Sequence, residues 1–185
     1  MTRARHVFVL TAVALTMASC IGGTGGGGGE DQATITFEDD RFGITFDYPD
    51  DFRLGDVTEV ARSSGGSSTT NQGIGIDDDN AIFLSRYDLS AEVSEDNIDD
   101  AHVELDGVVS ELVDADVTGK RTKVGGLIAF QYDNLAVTPP VDGESDLTFV
   151  FDGDVQYQLN CQSTPTHRDR IDEACELAVD TLEAA

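Results

Sequence analysis

The chain has 185 residues, of which 36 are acidic and 11 basic, for a formal net charge of −25. Nucleic acid and anionic membrane surfaces repel such a polyanion, so the charge excludes both as electrostatic partners. The length suits one globular domain with tails, and three cysteines with three histidines offer little for a metal or redox centre.

Residues 1–19 have the layout of a secretory signal. Arg3 and Arg5 give a positive start, Val7 to Ala18 are apolar or small, and Ala18 and Ser19 suit a signal peptidase. The apolar run is shorter than the ~20 residues of a membrane span. Met17-Ala18-Ser19-Cys20 then resembles the bacterial lipobox, with Met17 where leucine is usual. That resemblance implies cleavage before Cys20 and acylation of it; an ordinary secreted protein cleaved beside a cysteine is the alternative. The glycine tract from Gly22 to Gly29 forms no stable helix or strand and reads as a flexible spacer. The predicted organisation is a signal over 1–19, a lipidated Cys20 with a linker over 20–33, and one α+β domain over 34–185. The domain is expected outside the cytoplasm, held at the membrane by lipid on Cys20. Loss of the signal leaves 36 acids against 9 bases, a side-chain charge of −27. So acidic and lysine-poor a surface keeps a protein soluble and suits saline surroundings, where screening relieves self-repulsion.

Ile35 to Tyr48 holds two short runs with strand character; Ile44, Phe46 and Tyr48 alternate with Thr45 and Asp47, and Pro49 ends the pattern. An extended stretch runs from Phe52 to about Arg62. Ser63 to Gln72 has no apolar residue and reads as a mobile loop. Strands over 74–76 and 81–87 flank an acidic turn, Asp77 to Asn80. A helix is predicted to start at Ser94 as N-cap, with Glu95 and Asp96 favourable at its positive end. Its stripe is Ile98, Ala101, Leu105, Val108, Val109 and Leu112. Asp114 to Val124 is extended, Gly125-Gly126 a turn, Leu127 to Val137 a strand and Thr138 to Ser145 a loop.

Leu147 to Cys161 is the clearest hairpin, with Asp152-Gly153 as its turn signal. A two-residue turn there sets Phe149 beside Gln156 and gives two half-apolar faces. A three-residue turn instead aligns Leu147, Phe149 and Phe151 with Val155, Tyr157 and Leu159 on one face. Turn chemistry favours the first and patterning the second, so the register stays open. A last helix follows Thr164-Pro165, with a stripe of Ile171, Ala174, Cys175, Ala178, Val179 and Leu182. The order of strands and helices reads as α+β, an antiparallel sheet flanked by helices.

Three stretches together resemble the Mog1/PsbP-like family: FEDDRFGITFDYPDDFRL (37–54), KVGGLIAFQYD (123–133) and the closing strand FVFDGDVQYQLNCQS (149–163), which precedes a terminal amphipathic helix. The resemblance spans about 35–183. It implies an antiparallel sheet with flanking helices, and a binding or assembly module in place of an enzyme. The matching positions are turn and core positions, so no site residue carries over.

The remaining cysteines, Cys161 and Cys175, read as a disulfide outside the cytoplasm. Cys161 shares a face with Val155, Tyr157 and Leu159, and Cys175 lies on the apolar stripe of the next helix; no CxxC spacing or histidine partner supports a metal site. His102 sits beside a helix stripe and His167 at a helix start, with no paired nucleophile. The acidic clusters at Asp77 to Asp79, Asp142 to Asp146 and Asp152 with Asp154 lack EF-hand spacing and read as solvated surface, with calcium the alternative. The expectation is a non-catalytic envelope module with no cofactor, no metal and no nucleic-acid partner. It would bind an envelope protein, a glycan or a lipid through its sheet face or the loops at 63–72 and 138–145. A carboxylate-based envelope enzyme and a calcium-stabilised surface protein are the alternatives.

Overall fold

Alternating apolar residues build the first hairpin. In the computed structural model, which describes residues 32–55, 70–136 and 142–184, β1 (Thr34–Glu38) pairs antiparallel with β2 (Ile44–Pro49), setting Phe37 opposite Phe46. Phe37 stacks on Phe46 with ring centroids 4.9 Å apart. The turn between them is tied by Asp39, whose carboxylate accepts from the Arg41 backbone N–H at 2.9 Å and from the Arg41 guanidinium at 2.6 Å. Those bonds hold the Asp39 carboxyl down to about 2. The signal, Cys20 and most of the linker lie outside the described residues.

The other strands form a second sheet. β3 (Arg53–Gly55), β4 (Thr70–Asp77), β5 (Asn80–Asp88), β6 (Lys120–Val124), β7 (Leu127–Ala136), β8 (Glu144–Asp152) and β9 (Val155–Ser163) lie in the order β3-β4-β5-β9-β8-β7-β6. Every pair is antiparallel. α1 (Ile98–Val113) covers β7 and β8 on one face. On the other face lie α2 (Arg168–Thr181) and the small sheet, to which β10 (Glu183–Ala184) adds as a third strand beside β2. The fold class is thus α+β, antiparallel sheets flanked by helices.

Several sequence expectations shift. The β8–β9 hairpin takes neither register considered above. Asp152 pairs with Val155 and Phe149 with Gln158, so the turn is Gly153-Asp154. Gly153, at φ 62°, holds the first central position, where a type II′ turn places glycine. The two half-apolar faces of the two-residue reading persist, because a shift of two positions preserves which face each side chain takes. Phe149 and Phe151 point to α1 while Tyr157 and Leu159 point to α2.

Both helices start late. Asn97, not Ser94, precedes α1; its side chain turns backwards, accepting from the Ser94 N–H and donating to the Glu92 carbonyl, each at 2.8 Å. α2 begins at Arg168 because Thr164 is occupied elsewhere: its N–H and hydroxyl both donate to the Asn80 side-chain oxygen, at 2.8 and 2.9 Å. Leu112, expected in the α1 stripe, is 43% exposed, and Val113 packs instead. Thr70 to Gln72, read as loop, pair with β5 as the start of β4. Gly125 and Gly126 make the β6–β7 turn with φ of 57° and 82°, the double positive φ of a type I′ turn.

Candidate functional site

β9 divides the large sheet. Its odd-numbered residues from Val155 to Cys161 are apolar and face α2, while its even-numbered residues are Gln156, Gln158, Asn160 and Gln162. These carboxamides form a polar stripe on the α1 face, between β5 and the aromatic rows of β8 and β7. One row across the sheet reads Tyr87, Gln156, Phe151.

A cleft of about 700 Å³ opens where that row meets α1. Its floor includes Tyr87, Phe151 and Gln156; one wall is α1 from Asp100 to Val108, and the other is the segment from Leu89 to Val93. That segment is fixed to the β8–β9 turn, for the Leu89 N–H donates to the Asp154 carbonyl at 2.7 Å and the Val93 N–H to the Gly153 carbonyl at 2.9 Å. Asn97 clamps its end through the two bonds already described. The cleft is therefore bounded by a helix and a pinned strap.

The floor and the rim differ in polarity. Tyr87 is 4% exposed and Gln158, one row deeper, 5%. The Tyr87 hydroxyl and Gln158 Oε1 have no hydrogen-bond partner, whereas buried polar groups are satisfied in the great majority of cases. The rim carries Asp88, Glu92, Asp100 and Glu104, all exposed. Asp88 pairs with Arg86 at 2.9 Å. Among the described residues no carboxylate is buried.

The residues singled out from sequence lie elsewhere. Cys161, on the α2 face of β9, is joined to Cys175 on α2, with Cα atoms 6.1 Å apart, inside the range a disulfide spans. His102 is half-buried, stacked 4.3 Å from the Phe130 ring, with Nε2 2.9 Å from the Gly119 carbonyl. Its neighbour Asp106 accepts from the Tyr132 hydroxyl at 2.8 Å and from the Gly119 N–H at 2.9 Å. Burial, and then the bond to Asp106, push the Tyr132 hydroxyl well above its usual range, so it stays a neutral donor that ties α1 to the sheet. His167 precedes α2. Arg168 beside it binds Glu144, Asp146 and Asp172 at 3.0, 3.1 and 2.8 Å. Burial opposes the Arg168 charge, but these three carboxylates outweigh it and raise its pKa.

The acidic clusters are partly bonded into turns: Asp77 accepts from the Asp79 N–H and the Asn80 amide, at 3.0 and 2.8 Å. Among the described residues no three His, Cys, Asp or Glu are grouped to hold a metal ion. Of the two loops expected to make contacts, 63–69 and 138–141 lie outside the described residues. The cleft itself escaped sequence analysis. Tyr87 reads there as an ordinary strand aromatic, and only the unusual run of amides on β9 marks the face.

No family model and no curated protein matches the chain. Its architecture does have counterparts among solved structures. The solution structure of cyanobacterial PsbP (CyanoP) from Synechocystis sp. PCC 6803 superposes with a TM-score of 0.56, covering 88% of this chain and 98% of that one at 13% identity. The fold is PsbP-like. A crystal structure from Bacteroides thetaiotaomicron VPI-5482 aligns with a TM-score of 0.49 at 12% identity, covering 81% of this chain and 48% of that one. Within the PsbP-like framework described here, the cleft belongs to the α1 face, opposite the disulfide.

Proposed function

We propose that the chain is a lipid-anchored binding module on the extracytoplasmic side of a membrane, which holds a partner in the α1 cleft without chemical turnover. The observation that carries this reading is the cleft floor. Tyr87 is buried there with an unsatisfied hydroxyl, a group that a bound partner can satisfy. The acids at the rim are all exposed, whereas carboxylate catalysis calls for a pair whose environments push their pKa values apart. A tether through Cys20 and the glycine spacer would raise the effective concentration of a weak binder near membrane partners. The partner is an envelope protein, a glycan or a lipid.

Two measurements test this. A Cys20→Ser chain should leave the membrane fraction or stay uncleaved; a mature chain that starts downstream of Cys20 without lipid would refute the anchor. Glycan, lipid and envelope-protein arrays should be run beside broad hydrolase and transferase screens. Reproducible turnover that vanishes when one rim acid is changed, with the fold intact, would replace the binder by an envelope enzyme.

A further inference from the structure

We propose that the cleft takes an alkylammonium group, a primary amine carried on an aliphatic stem. This rests on the binding-module reading and narrows it to one ligand chemistry.

The charge of the rim comes first. The charged side chains that line the cleft are Asp88, Glu92, Asp100 and Glu104, with no basic residue among them. Asp88 is neutralised by Arg86, but Glu92, Asp100 and Glu104 have no ion-pair partner among the described residues. Asp100 and Glu104 lie one turn apart on α1, a spacing at which like charges repel, and Glu92 faces them from the pinned strap. A cation between the walls relieves that repulsion, and an anion is excluded by it.

Hydrogen bonding adds a second and independent sign. Below the rim, the Tyr87 hydroxyl is buried without a partner. That oxygen can accept, and an ammonium is all donor, with three N–H groups and no acceptor. The acidic turn at Asp77 offers no such floor, since its carboxylate is already bonded to its own turn.

The walls supply the third. Leu89, Val93, Ala101, Leu105 and Val108 line them, with the Phe151 ring at the floor. Bare metal cations gain nothing from apolar walls, but a methylene stem does, and the aromatic rings favour a nearby cation. The amine can be a small free molecule or the lysine side chain of a polypeptide, which present the same chemistry.

The test is amide NMR on the full chain in neutral detergent, titrated separately with 1,5-diaminopentane, 1-pentanol and a short lysine-containing peptide with blocked ends. Diaminopentane should shift amides at 87–93, 97–105 and 151–156, and pentanol should not. Shifts from both amines support a free amine as a sufficient ligand; shifts from the peptide alone keep the chemistry and assign a polypeptide source. Glu104→Gln should weaken binding about fivefold, the size expected for one partly exposed charge partner. Tyr87→Phe should weaken it without lowering the melting temperature, which separates loss of a ligand contact from loss of fold. Equal shifts from pentanol would overturn the proposal, as would shifts spread evenly over Asp77 to Asp79 and Asp154, which mark loose counterions. An unchanged affinity in Tyr87→Phe would also overturn it. If neither amine moves the cleft while a neutral ligand from the arrays does, the amine falls and the binding module stands.

Discussion

The two faces of the seven-stranded sheet are built from the same strands and do different things. Toward α2, Ile82, Leu84, Val150 and Leu159 are fully buried and pack with Ile171, Ala174 and Ala178, and the Cys161–Cys175 bond fastens the helix to the sheet. Toward α1, the apolar cover extends over Phe130, Leu147 and Phe149 on β7 and β8, then gives way to the amides of β9. One face closes around an apolar core. The other stops short of closing, and where it stops there is a cleft with an orphaned tyrosine hydroxyl. An unsatisfied buried polar group costs about 1–3 kcal/mol, so the α1 face carries a stability penalty at the position where a ligand would gain by binding. The contrast separates residues that hold the molecule together from residues free to serve a partner.

Substitutions at the core face should have the largest effect. Leu159→Ala removes a fully buried side chain between the sheet and α2 and should cost about 2–5 kcal/mol, read as a lower urea midpoint with an unchanged slope. A loss under ~1 kcal/mol there would mean that the core face tolerates cavities, and the contrast between faces would fail. Next comes the disulfide. Replacing both Cys161 and Cys175 by alanine opens a loop with a sequence separation of 14, worth roughly 3 kcal/mol in the chain-entropy model. Hydrogen exchange should then quicken in α2 and change little in α1; uniform acceleration of both helices would show that the two faces unfold together.

Smaller and opposite in sign is Tyr87→Phe, which deletes an unpaired hydroxyl and should raise stability by ~1 kcal/mol. A clear destabilisation would reveal a hydrogen bond at that oxygen and remove the floor from the candidate site. The smallest effect belongs to Asp39 in the β1–β2 turn. Its carboxyl titrates at about 2, below the ordinary 3.8, because Arg41 binds the charged form. A depressed carboxyl adds stability that is present above its unfolded value and lost as pH falls through the folded one. The Asp39 carboxyl resonance should therefore titrate near 2 and move up towards 3.8 in Arg41→Ala; a midpoint that stays put would assign the shift to the backbone N–H bond, which survives the substitution, and not to the guanidinium.

Much of the framework was legible in the sequence. Alternation in Ile44, Phe46 and Tyr48 placed β2, the double glycine placed the β6–β7 turn, and the stripe from Ile171 to Leu182 placed α2. Helix starts were not: Ser94 and Thr164 open only the turn before each helix, their carbonyls accepting from the Asn97 and His167 N–H groups at 3.2 and 3.0 Å, and the Thr164 hydroxyl is drawn to Asn80, far away in sequence. β10 was missed for a similar reason, since two residues carry no periodic pattern and only the neighbouring edge of β2 makes them a strand. The candidate site was the least legible part. Its floor comes from β5, β8 and β9 and its walls from α1 and the strap, so no local motif records it.

By itself, the sequence determined which residues are apolar and with what period. From that followed the α+β class, two helices, and cysteines on facing surfaces, because strand and helix periodicities are local properties of the chain. Tertiary structure decided which faces the β8–β9 hairpin presents. A sheet covered on both sides sends the aromatics of β8 to one helix and the apolar residues of β9 to the other, which rules out the three-residue turn; between two-residue turns, which share those faces, Gly153 with its positive φ sets the observed one. That same division leaves the β9 amides on the α1 side, next to Tyr87, and so places the cleft where residues distant in the chain meet.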